Sequence, residues 1–350
     1  MKTFYEIYKD AYAQEVSDIH LVCNKAVQFR KNGELSDYEP GTILSGKDIA
    51  TLVNQIAIPR LNDDLARDKD ADYAFQFDFG HERIRVNVAY ERGNLAVTAR
   101  VIRAEIPTFE QIDLGKTEEV LTRLQHGLVI ICGPTGSGKS TTLATMLERI
   151  NMERKQKIVT LEDPIEFMFE NRKCIVQQRE IGIDAPTFGA ALRTVFRQDP
   201  DIIMVGEMRD KETVQETLRI AETGHLVFST LHTSSAASTI LRIVDIFEPH
   251  EQQQVRIQLA QNLRAIIFQQ LVPGAAGKRV AAREIMINNS ATSNIIRTGN
   301  FEQLDTVLQT SSEQGMVTMA RAFDRLLKEK KITKEIYEEW RPQKIDIKKR

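Results

Sequence analysis

Hydrophobic residues along this chain change their rhythm near residue 105. At the start, Phe4, Ile7, Tyr8, Ala11 and Tyr12 fall at helical spacing and predict an amphipathic helix that buries one face in its own domain. Ile19, Leu21 and Cys23 then alternate with His20 and Val22 in a short strand, with His20 as a polar-face residue. Residues 28–35 read as a second strand running into an Asn32-Gly33 turn. A helix from about Gly46 to Ile58 is expected to stop at Pro59. Three β-like runs follow at 73–79, 83–89 and 95–102, joined by Gly80-His81 and Arg92-Gly93-Asn94, which is turn chemistry. The first part of the chain is therefore expected to be α+β, built on an antiparallel sheet.

Ile106-Pro107 and the polar run 115–119 mark a linker, and from Glu118 strands and helices alternate, as in a parallel α/β sheet. An apolar run at 128–131 breaks into a glycine-rich turn, and a helix follows from Lys139 to about Ile150. Strand 157–161 ends in Glu162-Asp163-Pro164, strand 202–205 in Gly206-Glu207, and strand 226–230 in Leu231-His232-Thr233. Helical stretches at 190–196 and 212–222 separate them. From Pro249 the pattern is mainly helical, interrupted by 267–272 and 280–287 around Pro273-Gly274, which look like a paired-strand addition to the sheet. The expected organisation is an N-terminal domain over 1–103, a linker over 104–117, an α/β core over 118–288 and a helical C-terminal region over 289–350.

The turn carries the chemistry. Gly133, Pro134, Thr135, Gly136, Ser137, Gly138, Lys139, Ser140 and Thr141 form a complete P-loop between a strand and a helix. Its glycines let backbone N–H groups surround phosphate oxygens, Lys139 reaches the β/γ-phosphates and Ser140 offers a hydroxyl to Mg²⁺. In parallel α/β sheets ligands sit outside the carboxyl ends of the strands, so the P-loop, Glu162/Asp163, Glu207 and His232 are expected to converge on ATP. Glu207 is the expected acceptor for the attacking water's proton. Gly206 stands where an Mg²⁺-binding Asp is common, leaving Ser140, waters and Glu162, Asp163 or Glu207 to complete the metal's surroundings. His225 and His232 flank one strand and can sense the γ-phosphate or act as capping or core histidines. Arg83 and Arg85 share a strand face, with Arg92, Arg100 and Arg103 nearby, as a solvated face or as fingers onto phosphates.

Composition narrows the classes. With 47 basic and 49 acidic residues among 350, the net charge is -2, against the basic excess of a nucleic-acid binder. The three cysteines, Cys23, Cys132 and Cys174, are scattered, which fits a reducing compartment and excludes a CxxC metal ribbon. No apolar run approaches the roughly 18 residues of a membrane span, and the first residues lack an export-type apolar core. A cytoplasmic protein is expected. The basic stretches 328–334 and 344–350 read as solvated helix and tail.

Several strings together resemble the secretion-superfamily ATPases of type IV pilus machines, most closely the PilT-type retraction ATPases. Ser17-Asp18-Ile19-His20-Leu21 looks like that family's opening strand and Arg83-Ile84-Arg85-Val86-Asn87 like its arginine-bearing strand. Residues 160–166 resemble its acidic box, 205–210 its atypical Walker B and 221–233 its histidine box. The resemblance implies a PAS-like N-terminal domain, a RecA-like ATPase core and a homohexameric ring, with Glu207 catalytic, Glu162/Asp163 supporting metal or water, and Arg83, Arg85 and Arg100 facing a nucleotide. It further implies a motor that drives retraction through an inner-membrane platform protein, at the cytoplasmic face of that membrane, without nucleic acid or direct insertion. Assembly ATPases of the superfamily carry an extra N-terminal domain and a four-cysteine site, which this sequence lacks. Residues 291–298, ATSNIIRT, resemble the C-terminal AIRNLIRE motif tied to retraction, with Thr298 in the acidic position. An accessory, assembly or secretion ATPase and a nucleotide-binding regulator without turnover remain the alternatives.

Overall fold

In the computed structural model the described residues are 2–31, 33–77, 83–102 and 105–341. The turn residues Asn32, Gly80 and His81, residues 78–79 of the expected third strand, Arg103 and the tail 344–350 lie outside them. Contacts divide the chain into two units: Met1–Glu105 with Pro164–Met168, and Ile106–Asp163 with Phe169–Arg350.

Among the described residues the first unit is built on six strands: β1 (Asp18–Leu21), β2 (Gln28–Lys31), β3 (Glu34–Asp37), β4 (Asp70–Gln76), β5 (Arg83–Glu91) and β6 (Asn94–Ile102). Their order is β3-β2-β1-β6-β5-β4, and every pairing is antiparallel. Alternation decides the faces. Ile19, Ala99, Val86 and Ile84 turn to one side, where they are buried with Phe4, Ile7, Ile49, Leu52 and Leu65 from the helices. The helices Phe4–Ala13 and Gly46–Asn54 start at Thr3 and Ser45, each closing a capping box. The second helix ends at Asn54, short of the expected Ile58. A further helix, Leu61–Asp68, was not expected: its LNDDLARD sequence buries only Leu61 and Leu65 and has no side-chain N-cap.

The second unit is an α/β layer structure. Its strands are β7 (Gly127–Cys132), β8 (Lys157–Glu162), β9 (Ile175–Glu180), β10 (Ile202–Val205), β11 (Leu226–Leu231), β12 (Leu263–Pro273) and β13 (Arg279–Ile287). The order is β13-β12-β7-β11-β10-β8-β9, parallel except for the β12–β13 hairpin, which is the expected addition to the sheet. Both faces are covered, so β7 is buried throughout. Leu128, Ile130 and Cys132 pack with Leu192, Leu218 and Ile240 on one side, and Val129 and Ile131 with Leu143, Met146 and Leu147 on the other. Two elements escaped the hydrophobic pattern. β9 is an edge strand whose Ile175 is exposed, and Lys116–Thr122 is a short helix across the boundary between the expected linker and core, where Glu118 accepts from the Gly115 N–H at 3.0 Å.

Candidate nucleotide site

Strand β7 delivers the chain to Gly133, whose N–H donates to the Leu231 carbonyl at 3.2 Å. Gly133 has no room for a side chain, because a Cβ would meet the Gln269 carbonyl at 2.3 Å and Ser137 Oγ at 2.6 Å. Pro134, Thr135 and Gly136 form the exposed crest, and Gly138 caps the helix Lys139–Glu153 with no side-chain hydrogen bond. Lys139 is 8% exposed and donates to the Gly133 and Pro134 carbonyls at 2.9 and 3.0 Å. Ser137 Oγ is buried and has no hydrogen-bond partner. A cation folded into the loop, an orphaned hydroxyl and an uncapped helix start are the donor set a phosphate chain requires. Ser140 and Thr141 are partly exposed in the first helical turn. Burial pushes the neighbouring Cys132 thiol up to about 11, which leaves it unreactive.

The carboxyl ends of β8, β10 and β11 face the same edge of the sheet. Gly206 follows β10 and donates to the Leu161 carbonyl at 2.8 Å, and a Cβ there would press on that carbonyl at 3.1 Å. This close approach favours glycine before Glu207, since any Cβ there would push the Leu161 carbonyl by a few tenths of an ångström. Thr230 Oγ1 donates to the Gly206 carbonyl at 2.6 Å, fixing the turn against β11. The Glu207 carboxylate, 18% exposed, takes Arg209 Nη2 at 2.8 Å on Oε2 and lies 3.4 Å from His232 Nε2 on Oε1. Glu162 is buried, and its Oε1 accepts from Thr160 Oγ1 at 2.7 Å and Gln178 Nε2 at 3.1 Å. Asp163 is exposed beside it. Among the described residues no three His, Cys, Asp or Glu group as a metal-ligand set.

His225 is not brought to this edge. It precedes β11, so seven residue steps along the strand, at about 3.3 Å each, separate it from His232 by about 23 Å. Its Nδ1 lies 3.0 Å from Thr223 Oγ1, and its ring meets Phe196 edge to face. It serves the opposite edge of the sheet.

The arginines belong to the first unit. Arg85 stands opposite Arg100 in the β5–β6 register, and Arg100 opposite Asp18 on β1, so they share the polar face with Arg83. Arg85 makes a two-pronged contact with Asp72, at 3.2 and 2.7 Å, and Arg100 Nε donates to Asp18 at 3.0 Å. Arg83 is 8% exposed, with Nη1 3.5 Å from Met168 Sδ.

Residues 1–345 match the profile of the family described as Type II/IV secretion system protein. The chain belongs to this family. The type IV pilus retraction ATPase PilT of Pseudomonas aeruginosa is 40% identical over 322 residues, spanning 92% of this chain and 93% of that protein. A twitching motility protein of Neisseria gonorrhoeae is 38% identical over 287 residues, 82% of this chain and 76% of its own length. The crystal structure of the pilus retraction motor PilT with bound ADP gives a TM-score of 0.91 at 41% identity, covering 98% of both chains. The ATPase DotB of Legionella pneumophila gives 0.82 at 30% identity, covering 96% of this chain and 95% of its own.

In this member of the secretion family, sequence reasoning missed the residues that hold the expected ones in place. Arg209 follows Glu207 by two positions, and its basic type next to that acid was a usable signal. Thr160, two before Glu162 on a strand, shares its face by simple alternation. Gln178 carried no signal, since β9 itself was unforeseen.

Proposed function

We propose that this chain is the ATP-hydrolysing motor of a type IV pilus retraction machine. It would act as a homohexamer against an inner-membrane platform protein at the cytoplasmic face. The observation that carries this reading is the meeting of a complete phosphate loop with the Glu207–His232 pair at one sheet edge, in a chain similar over nearly its full length to retraction ATPases. No helix among the described residues is long and apolar enough to cross a membrane.

In this reading the loop amides and Lys139 take the β- and γ-phosphates, Lys139 exchanging the Gly133 and Pro134 carbonyls for phosphate oxygens. Glu207 accepts the proton of the attacking water, steadied by Arg209, and His232 senses the γ-phosphate. Ser140 would hold Mg²⁺ with Asp163 and water, the metal neutralising charge on the phosphate oxygens when bound. Glu162 holds water or metal from a buried position. The first unit, read as PAS-like, would present Arg83, Arg85 and Arg100 to a nucleotide, and the second, read as RecA-like, would turn closure around nucleotide into movement. A second reading, an accessory ATPase, draws on Thr298, whose hydroxyl is turned back to the Asn294 carbonyl at 2.9 Å where a retraction motif carries an acid. The type IV pilus ATPase PilU of Pseudomonas aeruginosa is also 36% identical over 320 residues.

Two measurements test this. Phosphate release by the purified protein should vanish in Lys139→Ala and in Glu207→Gln, and full activity in either removes the site assignment. Surface pili should accumulate, with loss of surface motility, in the host lacking this chain or carrying Lys139→Ala. Bald cells would instead mean assembly, and an unchanged count the accessory role.

A further inference from the structure

A phosphate loop that aims its amides inward must aim its carbonyls outward, and a buried carbonyl needs a donor. For Ser137 that donor is Gln269 on β12, whose Nε2 lies 2.6 Å from the Ser137 carbonyl. The orientation of this amide follows from its other contacts. Gln269 Oε1 receives Thr142 Oγ1 at 2.7 Å and Arg283 Nε at 2.8 Å, and arginine has only donors, so Oε1 faces Arg283 and Nε2 faces the loop. Gln269, Thr142 and Arg283 are 2%, 1% and 3% exposed. The Gln269 carbonyl also lies directly beneath Gly133, so a single residue supports both ends of the loop.

Arg283 carries the contact further. It stands opposite Gln269 in the β12–β13 register, and its Nη1 and Nη2 donate to the carbonyls of Asp113 and Ile112, each at 2.9 Å. Those carbonyls are held ready: Asp113 sits in the left-handed region at φ 55°, and its carboxylate is gripped by Lys331 at 2.7 Å and Arg325 at 3.3 Å. The same segment is tied to the P-loop helix at its other end, where Thr145 Oγ1 donates to the Pro107 carbonyl at 2.9 Å. Phe109 is buried between these points, with the Arg149 guanidinium 5.4 Å over its ring. Residues 106–114 open the second unit at one of the places where the chain passes between the two.

We propose that Gln269 is a positioning residue of the phosphate loop and that, through Arg283, it couples occupancy of that loop to the 106–114 segment. The proposal rests on the loop being the nucleotide site. Phosphate entering the nest pulls on the Ser137–Gly138 peptide. The pull passes through one amide and one guanidinium to two carbonyls, with no intervening solvent and no free rotor.

The test uses the full chain, with ADP as the probe. Gln269→Glu keeps the volume and both bonds on Oε1, but sets an acceptor against the Ser137 carbonyl. It should raise the ADP dissociation constant and the KM for ATP roughly ten- to a hundredfold, with kcat changed less and the melting temperature held by the charged partner Arg283. Gln269→Asn, a shorter amide, should recover little. Arg283→Met keeps the apolar stem and removes the bonds to Gln269, Ile112 and Asp113. In wild type, saturating ADP should slow amide exchange across 106–114 several-fold, and in Arg283→Met at saturating ADP this response should disappear. Unchanged ADP affinity in Gln269→Glu overturns the positioning role, and an undiminished exchange response in Arg283→Met overturns the coupling. Wild-type protein that fails to bind ADP at all would remove the nucleotide site itself, and with it the proposal.

Discussion

Replacing Gly133 by alanine tests the fit of the phosphate loop against its floor, together with a backbone at φ +152° that residues with a side chain rarely adopt. The new Cβ would stand 2.3 Å from the Gln269 carbonyl, where ordinary contact begins at 3.4 Å, so loop and strand must part by about 1 Å. The Gln269 carbonyl does not yield cheaply, since it is backbone in the middle of β12. Displacing a catalytic constellation by about 1 Å costs on the order of 10²-fold in rate, equivalent to about 2.7 kcal/mol of transition-state stabilisation. The assay is steady-state phosphate release with ATP, read as kcat/KM, alongside a melting curve to establish that the protein is folded. Gly136→Asn is the matched control: Gly136 lies in the same loop at φ +75°, but a Cβ there meets nothing within 4 Å, and Asn tolerates left-handed backbone. It should lose less than about tenfold. If Gly133→Ala stays within about threefold of wild type, or if Gly136→Asn loses as much, close approach is not what fixes the glycine.

Two further expectations concern stability. Glu284 is partly buried, and its Oε1 and Oε2 accept the first N–H groups of two helices, from Ala236 at 3.1 Å and Met319 at 3.4 Å. Desolvation outweighs these bonds and raises its carboxyl above the ordinary range. The folded state therefore holds its proton longer than the unfolded chain, and Glu284's contribution is fully present below the unfolded value near 4.5 and is lost as pH rises through the folded one. Denaturant unfolding of wild type and Glu284→Gln from about pH 4 to 7 should show wild type losing ground to the variant as pH rises, and parallel profiles would refute the assignment. Asp210 caps the helix Lys211–Glu222 by accepting the Thr213 N–H at 2.9 Å, three residues after Glu207. Asp210→Ala should cost about 1 kcal/mol, within a range of roughly 0.5–2, measured as a shift in the denaturation midpoint, and should lower kcat by loosening the turn that carries Glu207.

The parallel core was legible because its strands are buried on both faces and read as unbroken apolar runs, each followed directly by its functional group. Glu207 could be placed from sequence, since only Gly206 separates it from the end of 202–205. The same logic, applied strictly, would have excluded His225, which comes before its strand. Edge and capping elements were harder to read. β9 is polar and half exposed, and Leu61–Asp68 offers two buried leucines among its charges. Least legible were the cross-strand dependencies. Nothing in the string links Gln269 to Ser137 or Arg283 to Asp113, because such pairs exist only once the register of β12 on β7 and β13 is fixed.

The position of β7 in its sheet also sets a timetable for biosynthesis. Its neighbours are β11 and β12, and its partners in the latter run from Leu263 to Phe268. The ribosome makes the phosphate loop long before it makes the strands that flank β7. Pairing across such separations is slow to form and leaves apolar edges open in the interval. A nascent chain thus carries the recognisable nucleotide motif while having neither floor nor brace for it. Floor and brace are complete only when the β12–β13 hairpin emerges, so the last strands to be made are the ones that hold the first motif in shape.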